Sequence, residues 1–401
     1  MKFGGTSVAD VDRIRAVRDI ISDEIRDGWN VVAVVSAMSK ETNKLIDLAK
    51  QVGVENLVDP EYDSLISTGE DVSSSLLAIA LNSIEISSRS WRGWQLPIRT
   101  DSFHSNAKIE EINTSQIINS FKEGVKVAVV SGFQGIEQAG RITTLGRGGS
   151  DTSAVAIAAA IDAKRCDIYT DVDGIFTTDP GVVPNAKKLD SITMEEMLEL
   201  AGQGAKVVQT RAVEFANKYK VPVRVLSSFN DGSGTLISLK DESMENALVS
   251  GIAFQKDQVK FTLHSVGDIP GTAFKILGPI SDAEIEVDVI VQNVSIDDKT
   301  DFTFTVSNED SDSVEKILED LKTEVDYKKL IINSDIAKVS LVGTGMRSHA
   351  GVASKAFRAL SENNVNIQII STSEIKITMV IDESLIDKAV NVLHEEFELE
   401  K

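Results

Sequence analysis

Thr143-Thr144-Leu145-Gly146-Arg147-Gly148-Gly149-Ser150-Asp151 runs directly into an alanine-rich segment, residues 152–163. Small residues with few turn formers after Asp151 predict a helix that another element approaches closely, with the glycines and Arg147 on the loop at its N-terminus. Free N–H groups and the helix dipole attract phosphate or carboxylate there, and glycines admit a ligand to the backbone without a Cβ in the way. The Arg147 guanidinium adds a forked donor that suits a carboxylate. The residues alone leave a plainer reading open, in which Ser150 or Asp151 caps the helix and the glycines only make a turn.

Working outward, residues 30–37 (NVVAVVSA) form an apolar run bounded by polar residues, the pattern of a strand buried in a parallel sheet. Ser36 stands at its carboxyl end, where open α/β sheets bind ligands. A second such strand, 126–131, ends in Gly132-Phe133-Gln134-Gly135, and a third, 167–170, ends in Asp171-Val172-Asp173-Gly174-Ile175-Phe176. Helical patterns at 72–81 and 194–201 alternate with these strands, which predicts a largely parallel sheet between helices. At the start, Lys2-Phe3-Gly4-Gly5-Thr6-Ser7 precedes a helix over 8–25 with Val11, Ile14, Val17, Ile21 and Ile25 on one face. It is no P-loop, because the lysine precedes the glycines; read alone, it is a turn. Ser67-Thr68-Gly69-Glu70 before an apolar helix reads as a capping box between Ser67 and Glu70.

The 401 residues suffice for about two to three domains. A net charge of −21 excludes non-specific binding to nucleic acid or anionic membranes, so any anionic substrate needs local cations. One cysteine, Cys166, rules out a disulfide framework and fits a reducing compartment. No apolar run approaches the ~20 residues of a spanning helix and no leader is expected, so the expected location is the cytoplasm. The four histidines, His104, His264, His349 and His394, lie far apart and read as surface or cap residues; no metal site is expected.

Past Leu226 come a turn-rich stretch (227–234), a short strand (235–239) and a polar connector (240–246). From Val259 onward the chain repeats itself. An offset of 80 residues pairs Gly271 with Gly351, Val259 with Val339, Phe261 with Leu341, Ala273 with Ala353, Lys275 with Lys355 and Val287 with Ile367. Each copy reads strand, helix, strand, strand, helix, with a possible closing strand: two small βαββαβ units.

Together, residues 2–7, 143–151 and 170–175, with Gly204-Ala205-Lys206-Val207-Val208 and the paired repeat, resemble the aspartate kinase family: an amino acid kinase fold followed by two ferredoxin-like ACT domains. The resemblance covers nearly the whole chain. It implies transfer of the ATP γ-phosphoryl group to the side-chain carboxylate of L-aspartate, at the head of lysine, threonine and methionine synthesis. It also implies a kinase domain over 1–240, a first ACT domain over 259–333, and a second formed by 248–258 with 334–401. Lys2 and Asp151 become the catalytic pair. Thr42, Glu70, Arg147, Gly149, Ser150 and Asp151 hold aspartate, with Arg147 on its α-carboxylate and Asp151 on its ammonium group. Lys2, Gly4, Gly5, Thr6, Ser36, Thr170, Asp171, Asp173, Gly174, Phe176 and Lys206 hold ATP, and magnesium rides on the phosphates. Lysine, threonine or both act as effectors at Asp268, Ile269, Pro270, Gly271, Thr272, Ala273, Glu286, Asp288 and Gln292. The residues alone read 268–271 as a turn and Asp288 as a solvated strand residue. A homo-oligomer through the ACT domains is expected, with an ACT-only short subunit beginning at Met244. Two departures stand out: Met1 directly precedes Lys2 where relatives carry apolar residues completing the first strand, and Gly181 replaces an arginine that many relatives place near the nucleotide. The competing reading is an amino acid sensor with an inactive kinase domain.

Overall fold

The computed structural model describes residues 1–53, 59–205, 207–239, 248–293, 298–348 and 351–401. Lys206, His349, Met244 and the polar connector around it lie outside the described residues. Two compact units divide the chain: Met1–Phe176, Lys188–Gly202 and 207–239 in the first, Thr177–Lys187, Gln203–Ala205 and 248–401 in the second.

The first unit runs β1 (Lys2–Phe3), α1 (Val11–Arg26), β2 (Val31–Val35), α2 (Glu41–Val52), α3 (Pro60–Ile66), α4 (Thr68–Asn82), β3 (Ser88–Trp91), β4 (Ile98–Thr100), β5 (Ile109–Ile112) and α5 (Ser115–Lys122). It continues through β6 (Val127–Ser131), β7 (Gln134–Ile136), β8 (Ile142–Thr144), α6 (Gly149–Ala160), β9 (Cys166–Thr170), β10 (Ser191–Thr193), α7 (Met194–Gly202), α8 (Thr210–Tyr219), β11 (Val223–Ser227) and β12 (Thr235–Ser238). Its main sheet has the order β10-β12-β11-β9-β1-β2-β6-β3, and β4, β5, β7 and β8 form a smaller one. β1 pairs in parallel with β2 on one side and β9 on the other, so the chain order reverses across it. That reversal opens the crevice where doubly wound sheets bind ligands, and it gathers the carboxyl ends of β1, β2, β6, β9 and β11 along one edge.

The apolar runs explain the central strands: every residue of β6 is buried, and β2 is nearly so. α1 presents Ile14, Val17 and Ile21 to a core that contains Phe3, Val31, Ala33, Val35 and Tyr169. The Asp10 carboxylate caps that helix by accepting from Arg13 N at 2.9 Å. α6 is buried from Gly149 through Ala158, as an alanine-rich helix enclosed on all sides must be.

The second unit runs β13 (Gly251–Gly267), α9 (Thr272–Asp282), β14 (Asp288–Gln292), β15 (Lys299–Ser307), α10 (Ser311–Asp320), β16 (Lys329–Val342), α11 (Val352–Glu362), β17 (Ile369–Thr372), β18 (Lys376–Asp382) and α12 (Ile386–Glu396). One six-stranded sheet, β14-β15-β13-β16-β18-β17, carries both repeats. The offset of 80 reappears in α9 and α11, each preceded by a left-handed glycine, Gly271 at φ 95° and Gly351 at φ 103°. β13 and β16 each serve both copies. Gly251 to Gln255 pair with Val342 to Lys338, while His264 to Lys260 pair with Lys329 to Asn333.

Residues 177–187 and 203–205, which the sequence reading gives to the kinase domain, pack within the second unit. Ile252 N donates to Thr177 O at 2.7 Å, Val183 joins the core around Leu341 and Leu393, and Ser340 Oγ donates to Gln203 Oε1 at 2.9 Å. Two of the histidines also depart from expectation, whereas His264 is exposed. His104 is buried against Asp63, and His394 is buried with its Nε2 3.0 Å from Thr177 Oγ1.

Phe304 is fully buried between Phe261 and Phe302, at ring distances of 5.6 and 6.3 Å. Phe304→Ala should therefore cost about 3–5 kcal/mol in urea unfolding of the second unit. A loss below about 1 kcal/mol would contradict this packing.

Candidate active site

β1 ends in the Gly4-Gly5 turn, where Gly4 N donates to Tyr169 O at 3.2 Å and Ser7 N to Gly4 O at 2.9 Å. A Cβ on Gly4 would lie 3.3 Å from Lys2 Nζ, and one on Gly5 3.1 Å from Ala37 O, so both glycines keep this turn close to its neighbours. Thr6 is exposed beside them.

α6 begins at Gly149, three residues earlier than the sequence suggests. Its cap is Gly148 at φ 69°, with no side-chain cap bond, so neither Ser150 nor Asp151 caps it. A side chain at Gly148 would collide with Gln209, its Cβ falling 1.7 Å from Gln209 Cγ. Gly149, Ser150 and Asp151 instead occupy the buried first turn. There Asp151 Oδ1 meets Lys2 Nζ at 2.7 Å, and Asp151 Oδ2 lies 3.5 Å from Gln209 N. Lys2 and Asp151, assigned to different ligands by the resemblance, thus form one ion pair. Arg147 is exposed on the preceding loop and has no hydrogen bond or ion pair among the described residues.

The capping box does not form. Ser67 makes no cap bond and its hydroxyl donates to Ser64 O, while Glu70 Oε1 accepts from Ala37 N at 3.0 Å, just past the end of β2. Gly69 lets α4 approach that turn, since a Cβ there would lie 2.7 Å from Ala37 Cβ. Burial pushes the Glu70 carboxyl up to about 8, and its Oε2 is buried without a hydrogen-bond partner. Ser36 N donates to Phe3 O at 3.1 Å, and Ser73 Oγ donates to Ser36 O. Thr42 sits in the first turn of α2.

Beyond β9, Thr170 Oγ1 donates to Asp171 Oδ1, and Asn230 Nδ2 donates to Asp173 Oδ1 at 3.0 Å. A cavity here is lined by Asp173, Phe176, Lys188, Ser227 and Asn230. Gly174 is packed against Thr235 and Lys188. The sequence reading does not reach Lys188, Ser227 or Asn230 as site residues; Ser227 alone carries a signal, its place at the end of an apolar run. Among the described residues no group of three or more His, Cys, Asp or Glu could hold a metal ion. No described helix is long and apolar enough to cross a membrane.

In the second unit, Gln292 Nε2 donates to Asp268 Oδ1 at 3.3 Å, beside the turn that carries Ile269 and Pro270 to Gly271. Thr272 Oγ1 donates to Gly267 O, Ala273 follows in α9, and Glu286 is exposed. Asp288 is not merely solvated, because its Oδ2 takes the ammonium group of buried Lys338 at 2.5 Å. Burial pushes the Asp288 carboxyl up, and the Lys338 charge and hydrogen bond together with Val289 N bring it below the usual range. Asp179 Oδ1 accepts from Gly181 N at 2.7 Å, so Gly181 ends a local turn.

The amino acid kinase family model matches residues 1–227, and ACT domain models match 263–326 and 339–397. An aspartate kinase of Pseudomonas fluorescens (strain SBW25) is 55% identical over all of this chain and 97% of its own. The crystal structure of E. coli aspartokinase III in complex with aspartate and ADP (R-state) aligns over 98% of both chains at 28% identity, with a TM-score of 0.83. That of the same enzyme with lysine and aspartate (T-state) aligns over 99% of this chain and 98% of the other at 27% identity, with a TM-score of 0.75. With matches over its whole length and both C-terminal modules accounted for, the chain belongs to the amino acid kinase family as an aspartate kinase with ACT regulatory domains.

Proposed function

We propose that this enzyme transfers the γ-phosphoryl group of ATP to the side-chain carboxylate of L-aspartate, giving 4-phospho-L-aspartate for lysine, threonine and methionine synthesis in the cytoplasm. The Lys2–Asp151 pair carries this reading, because it sets a cation between the Gly4-Gly5 turn and the loop bearing Arg147. The acceptor carboxylate has a reference pKa of about 3.9 and is already ionised at neutral pH, so the site needs no general base. Positioning and positive charge supply the catalysis.

Lys2 neutralises charge on the transferring group, and Asp151 holds its ammonium in place. Gly4, Gly5, Thr6 and Ser36 flank the phosphates. Thr170, Asp171, Asp173, Gly174 and Phe176 take the base and ribose, joined by Lys188, Ser227 and Asn230 of the same cavity. Magnesium, bound mainly through the phosphates, would add positive charge there. Arg147 clamps the α-carboxylate of aspartate, with Thr42, Gly149 and Ser150 completing the pocket. Asp151, held by Lys2, and the buried Glu70 Oε2, which has no hydrogen-bond partner among the described residues, take the substrate ammonium group.

An ADP-release assay with aspartate, glutamate and N-acetylglutamate tests the substrate, and activity on aspartate alone is expected. Lys2→Ala should lower kcat by about 10²-fold, whereas Arg147→Lys should chiefly raise the KM for aspartate. Unchanged kinetics in both variants would remove these residues from the site.

Glu70 gives a pH signature. Below about 8 its carboxyl is protonated in the free enzyme, so binding an ammonium group must expel a proton. KM for aspartate should fall as pH rises from about 6.5 towards about 8.5, and Glu70→Gln should flatten that slope. Because the folded carboxyl is raised above its ordinary value of 4.5, stability falls as pH climbs from 4.5 to about 8. Glu70→Gln should also abolish that loss in thermal melts.

Lysine, threonine or both bind the first ACT repeat around Asp268 to Ala273, Glu286, Asp288 and Gln292, with a coupling of ~1–3 kcal/mol to the kinase. The turn at Gly271 offers N–H groups to the effector carboxylate. Gln292→Ala should relieve inhibition and leave activity without effector intact. Asp288→Ala should relieve it too, but should also destabilise the second unit by leaving the Lys338 ammonium buried and unpaired. Inhibition unchanged in both variants would place the effector elsewhere. Assembly through the ACT domains completes the reading, together with an ACT-only short subunit starting at Met244 that intact mass spectrometry of the native gene product would reveal.

A further inference from the structure

Asp63 is a fully buried carboxylate to which the mechanism above gives no part. It pairs with no lysine or arginine among the described residues. Its oxygens accept from Thr144 N at 2.9 Å, Thr144 Oγ1 at 2.7 Å, Ser105 N at 3.0 Å and, in the tautomer protonated there, His104 Nδ1 at 2.9 Å. Burying a carboxylate is costly unless such donors satisfy it, and removing it would strand several buried donors at once.

The donors come from two segments that meet at the substrate loop. Thr144 ends β8, three residues before Arg147. Ser105, at φ 68°, leads into Asn106, and both crowd Gly146: a Cβ there would lie 2.8 Å from Asn106 Oδ1 and 3.1 Å from Ser105 O. Arg211 braces the same loop, donating to Leu145 O at 2.9 Å and to Ala107 O at 2.7 Å. Arg147 has no side-chain bond among the described residues to fix it, so its position is inherited from the backbone on either side. α6 fixes the following side, and Asp63, together with Arg211 and the bond from Leu145 N to Phe133 O, fixes the preceding one.

We infer that Asp63 is a positioning residue for aspartate: by tying Thr144 to the 104–105 segment, it sets the place of the Arg147 clamp. This rests on the reading that Arg147 holds the α-carboxylate. A misplaced clamp weakens aspartate binding while leaving the nucleotide side, built on the Gly4-Gly5 turn and β9, in place.

Steady-state kinetics of Asp63→Ala, Asp63→Asn, Thr144→Val and Arg147→Lys, with thermal melting of each, test it. Asp63→Ala should raise KM for aspartate at least about tenfold, with kcat and KM for ATP within about threefold of the parent. Asn can accept from Thr144 N and Ser105 N through its oxygen and donate to Thr144 Oγ1 through its amide, so Asp63→Asn should recover most of the affinity. Thr144→Val, which loses one bond, should show a smaller rise and carries the test if Asp63→Ala does not fold. A raised KM in Arg147→Lys with none in the Asp63 and Thr144 variants overturns the inference alone. An unchanged KM in Arg147→Lys overturns the clamp and this inference with it. Equal rises in both KM values, or lowered melting with parental kinetics, would overturn it by marking Asp63 as purely structural.

Discussion

The contact between Lys2 and Asp151 joins the central strand β1 to the first turn of a helix buried on all sides. Neither partner is free to be alone there. Removing one leaves an uncompensated charge in a water-poor place, which costs far more than an exposed ion pair contributes. The pair also fixes how β1 and α6 approach each other, and so how the two glycine-bearing turns face one crevice. Gly132, just past β6, lets α6 come equally close there: a Cβ on it would lie 2.9 Å from Ser150 Cβ. The site is built by close contact first and by charge second.

A chain with net charge −21 must attract a nucleotide and a dicarboxylate against its own field. A cation that neighbouring carboxylates leave uncancelled is best placed to do so. Arg147 stands unpaired among the described residues, while the arginines facing Asp167 are committed to it: Arg165 Nε and Arg224 Nη2 lie 2.9 and 2.8 Å from its Oδ2. Those ion pairs sit at β9 and β11 as structural braces, so an unpaired guanidinium is the informative one.

The sheet is legible in the sequence because apolar runs such as VVAVV admit few alternatives, and the paired repeat because Gly271 and Gly351 cap equivalent helices. The start of α6 is not, since Gly148 caps through its backbone and leaves no side-chain signal. Glu70 belongs to a pattern that a capping box shares with any Ser-x-x-Glu; only the tertiary contact with Ala37 N separates the two. Asp63 and His104 are invisible for the same reason. They lie 41 residues apart, and Thr144 is 81 residues from Asp63, so no local spacing announces them.

The two repeats of the second unit are not independent beads. β13 and β16 each run through both, so the strand that closes one copy begins the pairing of the other. Their cores are distinct, one around Phe261 and Phe304, the other around Leu341 and Met379, yet the backbone ladder between them is continuous. Asp288 and Lys338 add a cross-tie from the edge strand of the first copy to the first strand of the second. A ligand that shifts β14 must therefore stretch this ion pair or carry Lys338 with it. Because Lys338 lies in β16 between Gln255 and Val380, such a shift is felt on both neighbouring strands. Shared strands and one ion pair, its lysine buried and its aspartate half-exposed, thus make the first repeat a place from which the second can be moved.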